Sequence, residues 1–359
     1  MRYKNNDKKQ GLSGLLRVKN EEATIAQSID SCIDALDELI ITYHECSDES
    51  VQIIESKKRQ YPDKITLIPY PYHVIGVGAT NEEYEYAKTL PANHPQLLAT
   101  YYNNALQYVN YKFVMKIDAD QIYFTQTLLI IREYIFKGVH QCRVGRFCGK
   151  LVNDVFCKKR ENKRIRSKYH LLHWLQYVIV PLFKKQYKEY AVSEFLKGNG
   201  YLSLSGVNVL PYNDEWVSPL GCELNGNKIW PYNGGGDHLV FMADEHTEYL
   251  PLDYKVGSSK SVLIEMFDHP KEKTIFPFGF IWFHLRFGKD GLLNKIISHS
   301  KENSIEMLPV YKLSEVSSSY IMKHISCTDD SHYSGLREYY NFVHILDKKA
   351  IRTNITLLC

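Results

Sequence analysis

Two aspartates separated by one residue, Asp118 and Asp120 in Lys116-Ile-Asp-Ala-Asp-Gln121, follow an apolar run, Tyr111 to Ile117, that reads as a strand. Alternate side chains of an extended chain point the same way, so the two carboxylates can share one hard divalent cation. Mg2+ or Mn2+ held by one or two carboxylates keeps its other positions for phosphate oxygens and water. Such an ion neutralises charge on a leaving nucleoside diphosphate. Acidic pairs are also common on helix faces and loops, so this one takes its meaning from its surroundings.

Two further stretches carry groups of chemical interest. In Tyr232-Asn-Gly-Gly-Gly-Asp237-His238, three glycines let the backbone approach a ligand and present Asp237. A carboxylate in reach of an acceptor hydroxyl can take its proton. The alternative is an N-cap for the amphipathic run Leu239 to Ala243. Asp214, Glu215 and Glu223 are weaker base candidates. Ile281-Trp-Phe-His284-Leu-Arg286-Phe-Gly-Lys289 is an aromatic strand with one histidine followed by two cations. A lone histidine among aromatics is commonly a satisfied core residue. His238 and His269 lack such basic company.

The elements that must position these groups alternate between strand and helix from Gly11 to about Leu128. The first strand is Leu12 to Val18. Asn20-Glu21-Glu22 then opens a helix with Ile25, Ile29, Ile33 and Leu36 at helical spacing. A strand from Glu38 to Tyr43 leads through His44-Glu-Cys-Ser-Asp48 to a helix, about Glu49 to Tyr61, that Pro62 stops. A strand from Lys64 to Ile68, a long loop from Pro69 to Asn93 and a helix from about Gln96 to Val109 deliver the chain to Asp118. This pattern predicts an α/β fold with a mainly parallel sheet, whose ligands bind beyond the carboxyl ends of the strands. Further on, Cys142 to Leu151 reads as a strand and Lys158 to Lys168 as a dense basic run. Residues 198–236 read as Gly-, Asn- and aromatic-rich loops, and the tail beyond Asp290 as short helices.

With 359 residues the chain can bury a large core, and no apolar stretch is long enough to span a bilayer. The polar start, Met1 to Gln10, lacks the apolar region of a secretory signal, which predicts a cytoplasmic protein. The eight cysteines form no C-x-x-C pair, so reduced thiols are expected. A net charge of +3 offers no global excess for a nucleic-acid partner, and none is expected. The 27 tyrosines suit a sugar-handling protein as well as ordinary packing. The basic run and the aromatic stretch after it, residues 158–190, could rest on an anionic membrane surface, such as the inner face of the cytoplasmic membrane; the plainer alternative is a solvated loop and a packed helix.

Gly14-Leu-Leu-Arg-Val-Lys-Asn-Glu-Glu22, Ser47-Asp48-Glu-Ser50 and Lys116-Ile-Asp-Ala-Asp120, in this order and spacing, resemble the GT-A glycosyltransferases. The likeness is greatest to the large inverting family that includes bacterial polysaccharide and lipopolysaccharide transferases and the cellulose and hyaluronan synthases. It covers residues 11–130 well and the rest in spots. The resemblance implies a GT-A, Rossmann-like catalytic domain over 1–290, with residues 11–130 binding the nucleotide sugar and 131–290 the acceptor. Residues 291–359 would form a helical extension. It implies that Leu16, Arg17 and Val18 line the nucleoside, with Asp118 beside the ribose and metal. Glu45 would replace an aspartate that the family commonly carries after its second strand. Asp120 and His284 would complete the shell of Mn2+ or Mg2+, Arg286 and Lys289 would face the diphosphate, and Asp237 would be the general base. The implied activity is inverting hexosyl transfer, with UDP-galactose in pyranose or furanose form as the expected donor. The acceptor would be a glycan or lipid-linked glycan of bacterial surface polysaccharide. A sugar nucleotidyltransferase would need a glycine-rich phosphate loop where Leu16-Arg-Val-Lys-Asn stands. A noncatalytic carbohydrate-binding protein on the same fold is the other alternative.

Overall fold

The computed structural model describes residues 8–76, 78–161, 170–224, 227–256, 260–268, 273–285, 294, 296–298, 306–324 and 331–358. The chain divides into two compact units, residues 1–132 with 223–228 and 240–271, and residues 133–222 with 229–239 and 272–359.

The first unit runs through β1 (Lys9–Val18), α1 (Ile25–Cys32), β2 (Glu38–Tyr43), α2 (Ser50–Gln60), β3 (Ile65–Pro69), α3 (Asn81–Thr89), α4 (Leu98–Leu106) and β4 (Tyr111–Asp118). These strands pair in the order β3-β2-β1-β4, every pair parallel. Val240 to Met242 add an antiparallel strand on the far side of β4. From Gly11 to Val18, β1 is buried at every position but Arg17, as befits a parallel strand covered on both faces. Gly14 allows this packing: a Cβ there would lie 2.7 Å from Leu36 Cδ1 and 2.8 Å from Leu39 Cδ1.

The strand and helix order of this unit agrees with the alternation read from the sequence. The loop expected over Pro69 to Asn93 contains α3. Its start is a capping box: Thr80 N–H donates to Glu83 Oε2 (2.7 Å) and Glu83 N–H donates to Thr80 Oγ1 (3.2 Å).

In the second unit Gly200–Asn208, buried throughout, pairs parallel with Thr274–His284 and antiparallel with Tyr232–Asn233. Helices Lys184–Leu196 and Ser331–Asp347 belong to this unit, and Phe156, Tyr187, Phe342 and Tyr339 form an aromatic cluster in it. The strand expected at Cys142 to Leu151 is instead the first half of α6 (Arg143–Glu161), which follows α5 (Thr125–Lys137). Val152, Val155 and Phe156 are buried at helical spacing, and Gly149 lets α6 close on a neighbouring helix, where a Cβ would lie 2.4 Å from the Gln186 carbonyl oxygen. Leu239–Met242, within the run expected to be helical, is a strand, so Asp237 does not cap a helix.

Candidate active site

β2 and β3 lie on one side of β1 and β4 on the other, so the strand order reverses between β1 and β4. That reversal opens a crevice outside the carboxyl ends of these two strands, where ligands of open α/β sheets bind. Arg17 and Asp118 are register partners there. Partners in a parallel pair share a face, so the guanidinium and the carboxylate stand on one side of the sheet. Arg17 Cζ sits 4.4 Å from the centre of the Tyr102 ring, which stacks on Tyr249 at 4.6 Å. Its Nε is buried with no hydrogen-bond partner among the described residues. Burial opposes its charge, but Tyr102, Glu265, Asp118 and Tyr101 outweigh that and hold its pKa above the ordinary arginine range. Leu16 and Val18 are fully buried, so their main chain is what they offer a nucleoside.

Asp118 is the last residue of β4, and Ala119 and Asp120 form the turn before β5 (Gln121–Tyr123). Strand alternation therefore stops at Asp118 and does not orient Asp120. The Asp118 N–H donates to Tyr123 Oη (3.0 Å), its carbonyl accepts from Ser28 Oγ (2.9 Å), and Gln121 Nε2 donates to its carboxylate (3.3 Å). Both aspartates are half-buried. Two carboxylates held at a strand end suit a cation whose remaining positions go to phosphate and water. Among the described residues no group of three or more His, Cys, Asp or Glu side chains is placed to hold a metal, and the expected trio of Asp118, Asp120 and His284 is divided between the two units.

At the end of β2, Glu45 is exposed with a left-handed backbone, φ 44°. Its carboxylate meets Lys19 Nζ at 3.3 Å and His73 Nδ1 at 2.8 Å, and the bond to His73 leads in holding it below the usual carboxylate range. The Asn20-Glu-Glu and Ser47-Asp-Glu-Ser stretches clasp each other. Ser47 N–H donates to Asn20 Oδ1 (2.8 Å), Glu21 N–H to Ser50 Oγ (2.6 Å), Glu22 N–H to Asp48 Oδ2 (3.0 Å) and Glu49 N–H to Glu22 Oε2 (2.9 Å).

In the second unit Asp237 is well exposed, with His238 Nδ1 at 3.3 Å. The glycines before it serve protein packing: a Cβ on Gly234 would lie 2.5 Å from Trp282, and one on Gly235 2.9 Å from Tyr339. Gly235 N–H donates to Tyr340 Oη (3.2 Å) and Gly236 N–H to Ser203 Oγ (3.1 Å). His284 is buried with Nδ1 at 2.7 Å from both Asn208 Oδ1 and Asn233 Nδ2. Nδ1 thus lies between an acceptor, Asn208 Oδ1, and a donor, Asn233 Nδ2, and these contacts hold the ring in place. Asn213 and Asp214, both at positive φ, are the two-residue turn of the hairpin that pairs Tyr212 with Glu215, which gives Asp214 a structural role. Arg286, Lys289 and His269 lie outside the described residues, as does the Glu223 side chain.

Tyr102, Tyr249, Lys116, Glu265 and His73 have no site role in the sequence reading. Lys116 pairs with Glu265 at 3.1 Å, both buried, and Lys116 Nζ lies 5.4 Å from the Tyr102 ring centre. Lys116 stands two residues before Asp118 on the same strand face, a signal the sequence did carry. Glu265 and Tyr249 come from a distant hairpin and left none.

Residues 2–172, a little under half of the chain, match the family model described as beta-1,4-N-acetylgalactosaminyltransferase (CgtA). No curated protein matches. Among solved structures the chain is similar to S. aureus TarS, at 17% identity over 35% of this chain and 20% of that one, with a TM-score of 0.24. It is also similar to TarS 1–349 in complex with UDP, at 18% identity over 35% and 32%, with a TM-score of 0.23. A third is glucosyl-3-phosphoglycerate synthase from Mycobacterium tuberculosis in complex with Mn2+, UDP and phosphoglyceric acid, at 20% identity over 32% and 34%, with a TM-score of 0.21. The chain thus spans about a third or less of the length of these proteins.

Proposed function

We propose that the protein moves a galacto-configured hexose or N-acetylhexosamine from a UDP-sugar to a glycan hydroxyl with inversion, using Mn2+ or Mg2+. The observation that carries the reading is the Arg17 and Asp118 pair at the reversal of strand order. UDP-galactose was the donor expected from sequence. The activity for which the matched family is named adds UDP-N-acetylgalactosamine, which has the same configuration at C4. A β-linked product from an α-linked UDP-sugar also requires inversion.

Asp118 and Asp120 would hold the metal; the ion, when bound, supplies positive charge to the departing diphosphate. Arg17, its guanidinium over the Tyr102 ring, faces the donor's anionic or uracil end, and Glu45 accepts from the base. Asp237 takes the proton of the acceptor hydroxyl. A lipid-linked glycan of bacterial surface polysaccharide, reached at the inner face of the cytoplasmic membrane, completes the proposal. Among the described residues no helix is long and apolar enough to cross a membrane.

The test assays the purified chain with Mn2+ and a panel of UDP-sugars against glycan acceptors. Turnover is expected with the galacto-configured donors, and a loss of about a thousandfold in chelator or in Asp120→Asn. Full turnover under both conditions would refute the metal assignment. Asp237→Asn is expected to lower kcat about 10²- to 10⁴-fold at unchanged donor KM; unchanged kcat removes it as the base.

A further inference from the structure

Lys116 stands two residues inside Asp118 on β4, and Arg17 is the register partner of Asp118, so the three side chains share the face of the sheet that carries Tyr102. Arg17 and Asp118 are at the carboxyl end of that face and Lys116 lies one step deeper. Lys116 pairs with Glu265 at 3.1 Å, the two side chains being 4% and 8% exposed. Glu265 arrives on the hairpin of Tyr249–Val256 and Lys260–Phe267, which belongs to the same unit.

That hairpin is fastened without the ion pair. Asn103 Nδ2 donates to the Tyr249 carbonyl (2.8 Å) and the Tyr249 N–H donates to Asn103 Oδ1 (2.7 Å). The Tyr84 hydroxyl donates to Asp253 Oδ2 (2.9 Å), and Tyr249 stacks on Tyr102. Taking two charges out of water is costly, and apolar side chains of similar volume fill a core at least as well. A lysine and a glutamate buried one step beneath Arg17 therefore need a use besides holding the hairpin down. Two cations share the ring of Tyr102, with Arg17 Cζ at 4.4 Å and Lys116 Nζ at 5.4 Å from its centre, and like charges repel. Burial disfavours the Arg17 charge, and the groups that favour it are Tyr102, Glu265, Asp118 and Tyr101. With the Asp118 carboxylate committed to a cation, Glu265 is the carboxylate left to answer Arg17. We propose that the buried Lys116–Glu265 pair positions Arg17: Glu265 anchors the guanidinium over the Tyr102 ring, in place for the anionic part of a nucleoside diphosphate, and Lys116 holds Glu265 beneath it. The nucleoside diphosphate rests on the donor reading given above; the anchoring of Arg17 does not.

Two measurements test this. In protein labelled with 15N-arginine, the Arg17 Nε–H signal is assigned by its absence from Arg17→Met. Its exchange with water should speed up at least about tenfold in Glu265→Gln, with no ligand present. In titrations with UDP and Mn2+, Glu265→Gln should raise Kd about tenfold in the parent, but less than about twofold where residue 17 is already methionine, because a group that acts through Arg17 then has nothing to act on. If Glu265→Gln does not fold, Lys116→Met with Glu265→Met, which buries no unpaired charge, takes its place in both measurements. An Arg17 signal unchanged in a folded variant, or losses of UDP affinity that simply add, overturns the proposal and leaves the pair a core contact. A parent protein that binds no UDP while the Arg17 exchange responds as expected refutes the donor reading and upholds the anchoring of Arg17.

Discussion

The loops at the strand ends of the first unit and the glycine-rich segment of the second hold their polar groups in opposite ways. In the first, the ties at the carboxyl ends of the strands lie near the surface: Asn20 to Ser47, Glu22 to Glu49, and Glu45 between Lys19 and His73. In the second they are inside. The Tyr339 hydroxyl is shared between Ser203 and Ser205, Tyr232 meets His344 at 2.6 Å, and Asn208 and Asn233 grip His284. A tie exposed to water can be exchanged for a ligand at small cost, whereas breaking a buried one leaves a desolvated group and costs about 1–3 kcal/mol. The loops around the crevice of the first unit can therefore adjust to a ligand, while the glycine-rich segment of the second unit is fixed scaffold from which Asp237 projects.

The sharpest way to break that contrast uses two buried histidines, both pushed down to about 4, chiefly by burial. A histidine whose pKa is lower in the folded state than in the unfolded chain leaves stability intact above about pH 6.5. As pH falls from there toward 4 the unfolded state takes the proton first, and on the order of 3 kcal/mol is lost per residue. Around His344 stand the Tyr232 hydroxyl, the Val316 carbonyl and Lys348, none of which can neutralise an imidazolium. His44 has the exposed Glu45 carboxylate 3.7 Å away, on a loop able to close on a charged ring. Urea unfolding between pH 7 and pH 4.5 should show His344→Gln removing most of one such loss and His44→Gln distinctly less. Equal effects would mean that the crevice loops are as rigid as the interior of the second unit.

How legible each region was in the sequence follows the same division. The order of β1, β2, β3 and β4 was readable because parallel strands buried on both faces give continuous apolar runs, and Asp118 was found at a strand end because that run stops there. Local signals were also misread. Thr80 and Glu83 spell a capping box, yet the length and the prolines of the surrounding stretch suggested a loop. Cys142 to Leu151 reads as a strand but belongs to the helix Arg143–Glu161, because short apolar runs lack a distinctive period. In the second unit the glycines before Asp237 looked like room for a ligand, but the space belongs to Trp282 and Tyr339. No local pattern reports a partner that the chain brings in from 48 or more residues away.

A smaller effect is expected at Arg17. Lysine keeps the charge but loses the flat guanidinium that covers Tyr102, so Arg17→Lys should raise donor KM about tenfold with a lesser change in kcat. A double-mutant cycle with Tyr102→Leu should give a coupling of about 1 kcal/mol in donor binding. Additive effects would show that the ring supports Arg17 only as part of the core.

The smallest effect separates adaptability from stability. Asn20 has φ 55° and accepts from the Ser47 N–H, two properties that alanine lacks. Asn20→Ala should cost about 1–2 kcal/mol, measured by urea unfolding, through the left-handed backbone and the lost acceptor. Asn20→Gly restores the backbone and should cost less, and Asn20→Asp keeps both properties and should cost least. If the clasp of these loops is exchanged when donor binds, the three variants should rank the same way in stability while donor KM moves by less than about threefold in each. A KM that climbs in step with the loss of stability would instead make Asn20 part of a preformed nucleotide site, and the crevice of the first unit would be as fixed as the second unit's interior.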